Sequence, residues 1–228
     1  MHVNRGIFIV LLWLVAAPTY AGWVNVVGTG AGNLSVKVTS LKEAHFLTTV
    51  RQQYDFSCGS AALATLLTYH YGHPVTEQTV FTAMYEKGDK EKIRREGFSM
   101  LDMKNYLEAN GFHAEGYRAS LDKLAQAAIP AIVLIKDNGY NHFVLIKGIR
   151  DGRILVGDPA AGTRIVARSA FEKMWTNGIL FAINSVRDKG NFNRAKEWQV
   201  RAAAPLGSAV RHDTLENISL LRRGPDDF

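Results

Sequence analysis

The spacing of apolar residues changes halfway along this chain, and that change constrains the fold more than any other feature. Between residues 58 and 127 the apolar residues recur at helical intervals. Between residues 131 and 184 they form short β-branched and alternating runs that predict strands. Helices followed by hairpin-linked strands indicate an α+β fold, with an N-terminal helical half packed on a C-terminal antiparallel sheet.

Start and stop signals divide the first of these regions into four predicted helices. Ser99 has Asp102 three residues later, which is the pattern of a capping box. The charged stretch from Lys87 to Glu96 is interpreted as a solvated loop. The helices are predicted from Cys58 to about Tyr71, Thr76 to about Lys87, Ser99 to Gly111 and Ser120 to just before Pro130.

The second region predicts strands joined by short turns. Asp151-Gly152 is a strong hairpin signal between two of them. Ser169 and Glu172 predict a capping box at the start of a short helix. The predicted strands cover Ala131–Lys136, His142–Arg150, Arg153–Asp158, Thr163–Val166 and Ile179–Asn184.

The N-terminal residues have the pattern of a signal peptide. Arg5 supplies a positive charge, an apolar run follows from residue 7 to 17, and Thr19-Tyr20-Ala21 offers a cleavage site. The run has about 11 residues, whereas a membrane span needs about 20. We therefore expect cleavage after Ala21 and a periplasmic mature protein without a transmembrane span. An uncleaved anchor or a buried strand is the alternative.

Charge and composition narrow the possible partners. The net charge of +6 is moderate, and acidic and basic residues are interspersed. Since there is no Lys/Arg block that could follow a phosphate backbone, we expect no nucleic-acid partner. No residues have metal-ligand spacing, so no metal or other cofactor is expected.

These patterns divide the chain into four predicted parts. Residues 1–21 form the signal peptide, and residues 22–45 form a Val-, Thr- and Gly-rich extension with one or two strands. Residues 46–185 form the main domain. Residues 186–228 are interpreted as a polar tail, with an amphipathic helix near Leu215 to Leu221.

The only cysteine, Cys58, stands where a predicted loop becomes a helix. Cysteines of exported proteins are usually paired, so a lone one is either a small buried hydrophobe or a reactive thiol. The free N–H groups and partial positive charge of a helix N-terminus favour a thiolate. Gly59 and Ser60 leave room for a substrate backbone. The local pattern alone leaves both interpretations of Cys58 open.

A thiol nucleophile needs a base, and one of the seven histidines is well placed for that role. His142 begins an apolar strand after the flexible turn Asn138–Asn141, whereas the other histidines suit ordinary surface or half-buried positions. Asp158 ends the partner strand of the same predicted hairpin. A strand end beside a turn is a suitable place for a side chain that faces a cleft.

The predicted hairpin raises a problem of register. A two-residue turn would pair Leu145 with Asp158, and side-chain alternation would then put His142 and Asp158 on opposite faces. We therefore predict an irregularity: a three-residue turn, a bulge at Gly148 or Gly157, or departure of Asp158 from the strand. If the hairpin is regular, Asn141 or Asp137 would orient the histidine instead.

Four elements in order carry a resemblance to a known family. They are Gln52, Cys58-Gly59 with a small-residue helix, His142-Phe143-Val144-Leu145 and Val156-Gly157-Asp158-Pro159. Together they resemble the C39 peptidases, papain-like domains that trim double-glycine leader peptides beside bacteriocin exporters. The resemblance covers about residues 46 to 185.

The resemblance implies a papain-like fold and a role for each matching residue. Cys58 would be the nucleophile, His142 the base and Asp158 the group that holds the imidazole. The side chain of Gln52 would donate to the oxyanion. Gln53 is the competitor for that role, but the six-residue offset from the cysteine favours Gln52.

Two departures from the family pattern shape the expected function. Ser57 precedes the cysteine, where the family often has an acidic residue. Leader-trimming members are usually fused to a transporter, whereas we expect this chain to be free-standing and exported. It is more similar to the stand-alone peptidase of Fap-type functional-amyloid (biofilm fibre) secretion systems. That likeness implies a secreted or periplasmic protein substrate and amyloid-system partners.

Other functions on the same fold stay open at this point. One alternative is a non-catalytic binding or assembly module that keeps the papain-like fold. Another is a different thiol chemistry, such as a transglutaminase or a cell-wall amidase. The presence of Cys58, His142, Asp158 and Gln52 together favours a peptidase, since a degenerate copy usually lacks one such residue.

Overall fold

A computed structural model describes residues 23–27, 33–37, 40–137, 139–186 and 190–199. The predicted signal peptide and the predicted helix near Leu215 therefore lie outside the described residues. Among the helices that are described, none is long and apolar enough to cross a membrane. The chain divides into two units after Ser40.

The first unit contains an antiparallel hairpin. Its strands are β1 (Trp23–Val27) and β2 (Asn33–Lys37), which pair from Trp23 opposite Lys37 to Val27 opposite Asn33. The prediction of one or two strands in this Val- and Thr-rich segment is confirmed.

The second unit contains, among its described residues, seven α-helices. Helix α2 continues without a break into a π-helical segment, Leu66–His70, so helical backbone extends almost to the predicted end at Tyr71. The helices are α1 (Leu41–His45), α2 (Cys58–Thr65), α3 (Glu77–Lys87), α4 (Lys90–Glu96), α5 (Met100–Ala109), α6 (Leu121–Ala127) and α7 (Arg168–Met174).

Six further strands form one antiparallel sheet in the order β3-β8-β4-β5-β6-β7. Most of the helices precede the sheet strands in sequence, so the predicted α+β class is confirmed. The strands are β3 (Ala114–Arg118), β4 (Ala131–Asp137), β5 (Tyr140–Arg150), β6 (Arg153–Asp158), β7 (Gly162–Ala167) and β8 (Ile179–Ile183).

Three of the predicted helix starts are confirmed by their hydrogen bonds. The side chains of Thr76, Ser99 and Ser120 each accept a backbone N–H three residues later. The Asp102 carboxylate in turn accepts the backbone N–H of Ser99, which completes the capping box. These caps satisfy N–H groups that the helix itself leaves without partners.

Two local predictions are wrong. The charged stretch read as a solvated loop contains helix α4, because Asp89 caps it and Ile93 buries all but 2% of its surface. The predicted capping box of Ser169 and Glu172 does not form. Helix α7 begins at Arg168, with Ala167 rather than Ser169 at the capping position, and Glu172 accepts a hydrogen bond from that arginine instead.

Alternation along the central strand β5 separates two hydrophobic cores. Phe143 and Leu145 belong to the core that includes α2, α3 and α5. Val144 and Ile146 belong to the core that includes α6 and α7. Because side chains of β5 pack into both cores, the strand is fixed between them, and this fixes the polar residues at its ends.

Residues 190–199 fall within the predicted polar tail, yet they pack against the folded domain. The segment ends in a 3₁₀ turn, Ala195–Gln199, that buries Trp198 and Glu197. The backbone N–H of Asn193 donates to the carbonyl of Lys147 on β5. Sequence patterns offer no reason to expect residues 190–199 to pack against the domain, since most of them are polar.

Candidate active site

Cys58 is the first residue of α2, and no side chain caps that helix. The hydroxyl of Ser57, at the capping position, instead donates to the Tyr54 carbonyl and accepts from the Tyr54 N–H. The N–H groups of the first helical turn therefore keep their capacity to bind a carbonyl oxygen or an anion. Cys58 is 8% exposed.

The small exposed surface of Cys58 lines a groove of about 1040 Å³. One wall comes from α4 and the start of α5, and the other comes from β4, β5 and β8. Both polar and apolar residues line it, so the groove can hold a peptide backbone together with apolar side chains. Its lining includes Arg94, Arg95, Phe98, Met100, Leu134, Tyr140, Phe143 and Ile179.

The β5–β6 hairpin contains the predicted irregularity. The turn at Asp151-Gly152 has two residues with positive φ, and pairing is regular from Arg150 opposite Arg153 to Gly148 opposite Leu155. Pairing resumes with Ile146 opposite Val156, so Lys147 is the extra residue of a bulge. The prediction of a bulge at Gly148 is therefore confirmed to within one residue.

The bulge brings His142 and Asp158 together. It shifts the register by one residue, so that Val144 lies opposite Asp158. His142 is two residues from Val144, and its side chain therefore lies on the same face of the sheet as Asp158. The Nε2 atom of His142 lies 2.8 Å from Oδ1 of Asp158. The alternative partners Asn141 and Asp137 are not needed for this role, and Asp137 instead forms an ion pair with Arg164.

Asp158 is almost completely buried but well supplied with donors. Its Oδ1 accepts the backbone N–H groups of Ala160 and Ala161, and its Oδ2 lies 2.9 Å from the Arg164 guanidinium. Burial acts to raise the pKa of Asp158, but the hydrogen bond and charge of His142, with help from these donors, lower it. The carboxylate is therefore held ionised.

His142 is hydrogen-bonded to Asp158 through Nε2, and its imidazole also interacts with the side chain of Cys58. Burial acts to lower the pKa of His142. The hydrogen bonds to Asp158 and Cys58, and the attraction of both negative groups, raise the pKa to about 9. An imidazole with a raised pKa favours the protonated form, and a protonated imidazole beside a thiol is an arrangement that can activate a cysteine.

Gln52 lies beside the same turn as Asp158. Its backbone N–H donates to the carbonyl of Pro159, and its Nε2 donates to the carbonyls of Tyr54 and Asp55 at 3.0 and 3.4 Å. The side chain of Gln52 is therefore held against the loop that leads to Cys58, whereas Gln53 lies in the same loop but is exposed.

Two residues near the site escaped the sequence reasoning. Arg164 contacts the carboxylate of Asp158. It could have been found because the tight turn between β6 and β7 pairs Asp158 with Gly162, and Arg164, two residues further along β7, then lies on the same face as Asp158. Lys147 interrupts an otherwise apolar strand, which is a sequence signal of a buried charge or a bulge. Among the described residues, no group of His, Cys, Asp and Glu is arranged to hold a metal ion.

Known proteins resemble this chain over most of its length. It is 44% identical over 189 residues to the probable functional amyloid protease FapD of Pseudomonas aeruginosa, covering 82% of this chain and 83% of that protein. It is 41% identical over 174 residues to the protein of the same name from Pseudomonas fluorescens, covering 76% of each.

Solved structures show the same fold. A double glycine motif protease from an AMS/PCAT transporter, solved with its leader peptide, superposes with a TM-score of 0.50 at 27% identity, covering 59% of this chain and 89% of that one. The peptidase domain of Streptococcus ComA superposes with a TM-score of 0.51 at 20% identity, covering 60% and 96%. The profile of the Peptidase C39 family matches residues 47–186. This chain therefore belongs to the peptidase C39 family and has its papain-like fold.

Proposed function

We propose that this protein is a cysteine peptidase in which Cys58 is the nucleophile and His142 is the general acid and base. One observation carries the proposal: a single imidazole contacts both a buried carboxylate and the thiol at the start of α2. Nucleophile, base and orienting group within hydrogen-bond reach are the arrangement that covalent catalysis requires.

The first half of the proposed reaction forms an acyl-enzyme. The Cys58 thiolate attacks the carbonyl carbon of a peptide bond, and the carbonyl oxygen becomes an oxyanion. When the intermediate collapses, the C–N bond breaks and the His142 imidazolium gives its proton to the leaving amine. The products are a thioester on Cys58, a free amine and a neutral imidazole.

The second half returns the enzyme to its starting state. Neutral His142 takes a proton from water, and the resulting hydroxide equivalent attacks the thioester carbonyl. The C–S bond then breaks, which releases a carboxylic acid and restores the thiolate beside the imidazolium. Asp158 stays ionised throughout and holds the imidazole ring in one orientation.

Two donors are proposed for the oxyanion. One is the backbone N–H of Cys58, which belongs to the uncapped first turn of α2. The other is the side chain of Gln52, whose Nε2 has its longer contact, 3.4 Å, with the Asp55 carbonyl. That long contact is the one that an incoming oxyanion would replace.

We further propose a secreted or periplasmic protein as the substrate. The chain is similar over four fifths of its length to a protein named as a probable functional amyloid protease, which supports a role in functional-amyloid secretion. The signal-peptide pattern of residues 1–21 supports a periplasmic location.

Alkylation of the purified protein with iodoacetamide at pH 6 tests the proposal. We expect Cys58 to react much faster than the same thiol in denaturant, and the Cys58→Ala variant to lose hydrolysis of unfolded periplasmic proteins. A labelling rate equal to that in denaturant would refute the peptidase. Normal function of Cys58→Ala in amyloid secretion would favour a non-catalytic module, and release of peptidoglycan fragments would favour a wall amidase.

A further inference from the structure

The ammonium of Lys147 is fully buried beside the proposed active site. Its Nζ donates to the carbonyl of Thr48 at 2.8 Å and to the hydroxyl of Thr48 at 2.7 Å. The hydroxyl of Thr163 lies at 3.3 Å, and a carboxylate oxygen of Glu197 also lies at 3.3 Å. A buried lysine is costly unless such partners surround it.

Lys147 is also the extra residue of the β5–β6 bulge. One glycine on each strand makes room for the groups packed around the bulge. A Cβ on Gly157 would lie 3.0 Å from Cδ of Lys147, so the lysine stem crosses the strand where no side chain stands. A Cβ on Gly148 would overlap with the side chain of Asn193. The close packing around both glycines leaves the bulge no room to slide along the strand.

Residues 190–199 hold the bulge from the outside. Asn193 has a positive φ of 57°, and its backbone N–H donates to the Lys147 carbonyl at 3.0 Å. Its side-chain amide donates to the Ile149 carbonyl at 3.1 Å. Glu197 supplies the only carboxylate that forms an ion pair with Lys147 among the described residues. This segment lies beyond residues 47–186, which match the family profile.

We propose that Lys147 is a positioning residue for the catalytic site and that residues 190–199 are therefore part of the catalytic unit. The ammonium fixes the bulge, and the bulge places His142 on the face of Asp158. This inference rests on the proposed function of the site. It goes beyond it, because it assigns a role in catalysis to a segment outside the matched family region.

A second connection runs from the same ammonium toward the nucleophile. Thr48 accepts two hydrogen bonds from Lys147, and it precedes Val50, whose N–H donates to the Thr65 hydroxyl on α2. The same stretch continues to Gln52 and then to Cys58. Lys147 therefore ties the strand of the base to the segment that leads to the nucleophile.

A variant that removes both charges tests the positioning role. Lys147→Met with Glu197→Gln leaves no unpaired charge, so we expect it to fold. The matched control is Lys104→Met with Glu108→Gln, which removes a more exposed ion pair on α5. Circular dichroism reports folding, NMR reports the titration of His142, and iodoacetamide at pH 6 reports the reactivity of Cys58.

In the folded double variant we expect the pKa of His142 to fall from about 9 toward its ordinary value. We expect labelling of Cys58 to slow by about tenfold to a hundredfold, because a misplacement of about 1 Å can cost that much. The control should match the wild-type protein in both measurements. A merely structural role of Lys147 would lower stability without moving either readout.

The possible outcomes separate this inference from the proposed function. A folded double variant with wild-type titration and labelling would overturn the positioning role and leave the peptidase intact. A wild-type protein that labels no faster than in denaturant would overturn the peptidase itself. If the double variant does not fold, Asn193→Gly keeps the left-handed backbone but loses the bond to Ile149. It should shift both readouts in the same direction, and wild-type behaviour there would refute the inference.

Discussion

The two sides of the groove hold the residues of the proposed active site by different means. On the helix side, Cys58 is placed by short-range bonds: Ser57 bonds to Tyr54, and the N–H of Ala61 donates to the Ser57 carbonyl. On the sheet side, His142 reaches Asp158 across 16 residues of sequence, through a bulge that Asn193 and other distant residues hold.

This difference separates what local chemistry can arrange from what tertiary packing must arrange. A loop-to-helix junction forms wherever its few residues have the right conformations, so the local conformation at the thiol depends mainly on neighbouring residues. A strand register depends on every pair along the ladder. Changes on the sheet side should therefore reach the site from farther away than changes on the helix side.

The largest expected effect comes from removing the proposed base. His142→Ala leaves the helix side intact but takes away the proton donor and acceptor, so we expect peptide hydrolysis to fall by about 10²–10⁴-fold. His113→Ala is the matched control, since His113 is exposed and only its backbone forms described hydrogen bonds. Steady-state hydrolysis by both variants measures the difference. Retention of more than a tenth of the activity in His142→Ala would contradict the assigned role.

A smaller effect is expected from the group behind the base. Asp158→Asn removes the negative charge that stabilises the imidazolium, so the pKa of His142 should fall from about 9. Activity that needs a protonated His142 is present below this pKa and is lost as the pH rises through it. The alkaline limb of the pH–rate profile should therefore move to lower pH in the variant.

Asp137→Asn provides the control for that profile, because Asp137 also pairs with Arg164 but is more exposed and does not contact His142. Its alkaline limb should stay in the wild-type position. An unchanged limb in Asp158→Asn would show that the carboxylate does not set the protonation of the base.

The same contrast explains how far the sequence could predict the structure. The α+β class, the helix caps at Thr76, Ser99 and Ser120, and the position of Cys58 follow from patterns a few residues long. The need for a bulge could be inferred because a regular hairpin would put the side chains of His142 and Asp158 on opposite faces of the sheet. Parity is a counting argument, so it requires no tertiary information.

What the sequence could not predict depends on distant contacts. Residues 190–199 look like a polar tail, because the carboxylate of Glu197 becomes a buried partner only when Lys147 stands opposite it. Helix α4 was missed because its charged residues hide the single buried Ile93. A polar sequence shows its burial only when its partner is known, and that partner is not a neighbour in sequence.

A third test probes the room that the bulge requires. Gly157→Ala places a methyl group 3.0 Å from Lys147 Cδ and 3.2 Å from the Thr49 hydroxyl. We expect a loss of about 1–3 kcal/mol in the free energy of unfolding, measured by urea denaturation. In the control Gly116→Ala the nearest atom is Ile179 Cγ2, at an ordinary 3.6 Å. Equal stability of the two variants would show that Lys147 moves aside without cost.

An effect of similar size concerns the histidine behind the 190–199 segment. His70 is fully buried, donates from Nδ1 to the Asn191 carbonyl, and has no hydrogen-bond partner for Nε2. Burial, with the positive charges of Lys147 and Arg194, lowers the pKa of His70 to about 3, against the opposing effect of the Asn191 bond. His70 therefore stays neutral in the folded protein down to about pH 3. In the unfolded chain it binds a proton as soon as the pH falls below its ordinary pKa.

The sign of the resulting pH dependence follows from proton counting. Between pH 6.5 and 3 the unfolded state binds the His70 proton and the folded state does not, so stability falls as the pH falls. The expected loss from His70 is about 2 kcal/mol between pH 7 and pH 5. His70→Asn should flatten this dependence in urea titrations, whereas His73→Asn, at an exposed position, should keep the wild-type slope. If His70→Asn keeps that slope as well, residues 190–199 do not bury His70 in solution, and the sheet side of the groove depends less on distant contacts than the comparison requires.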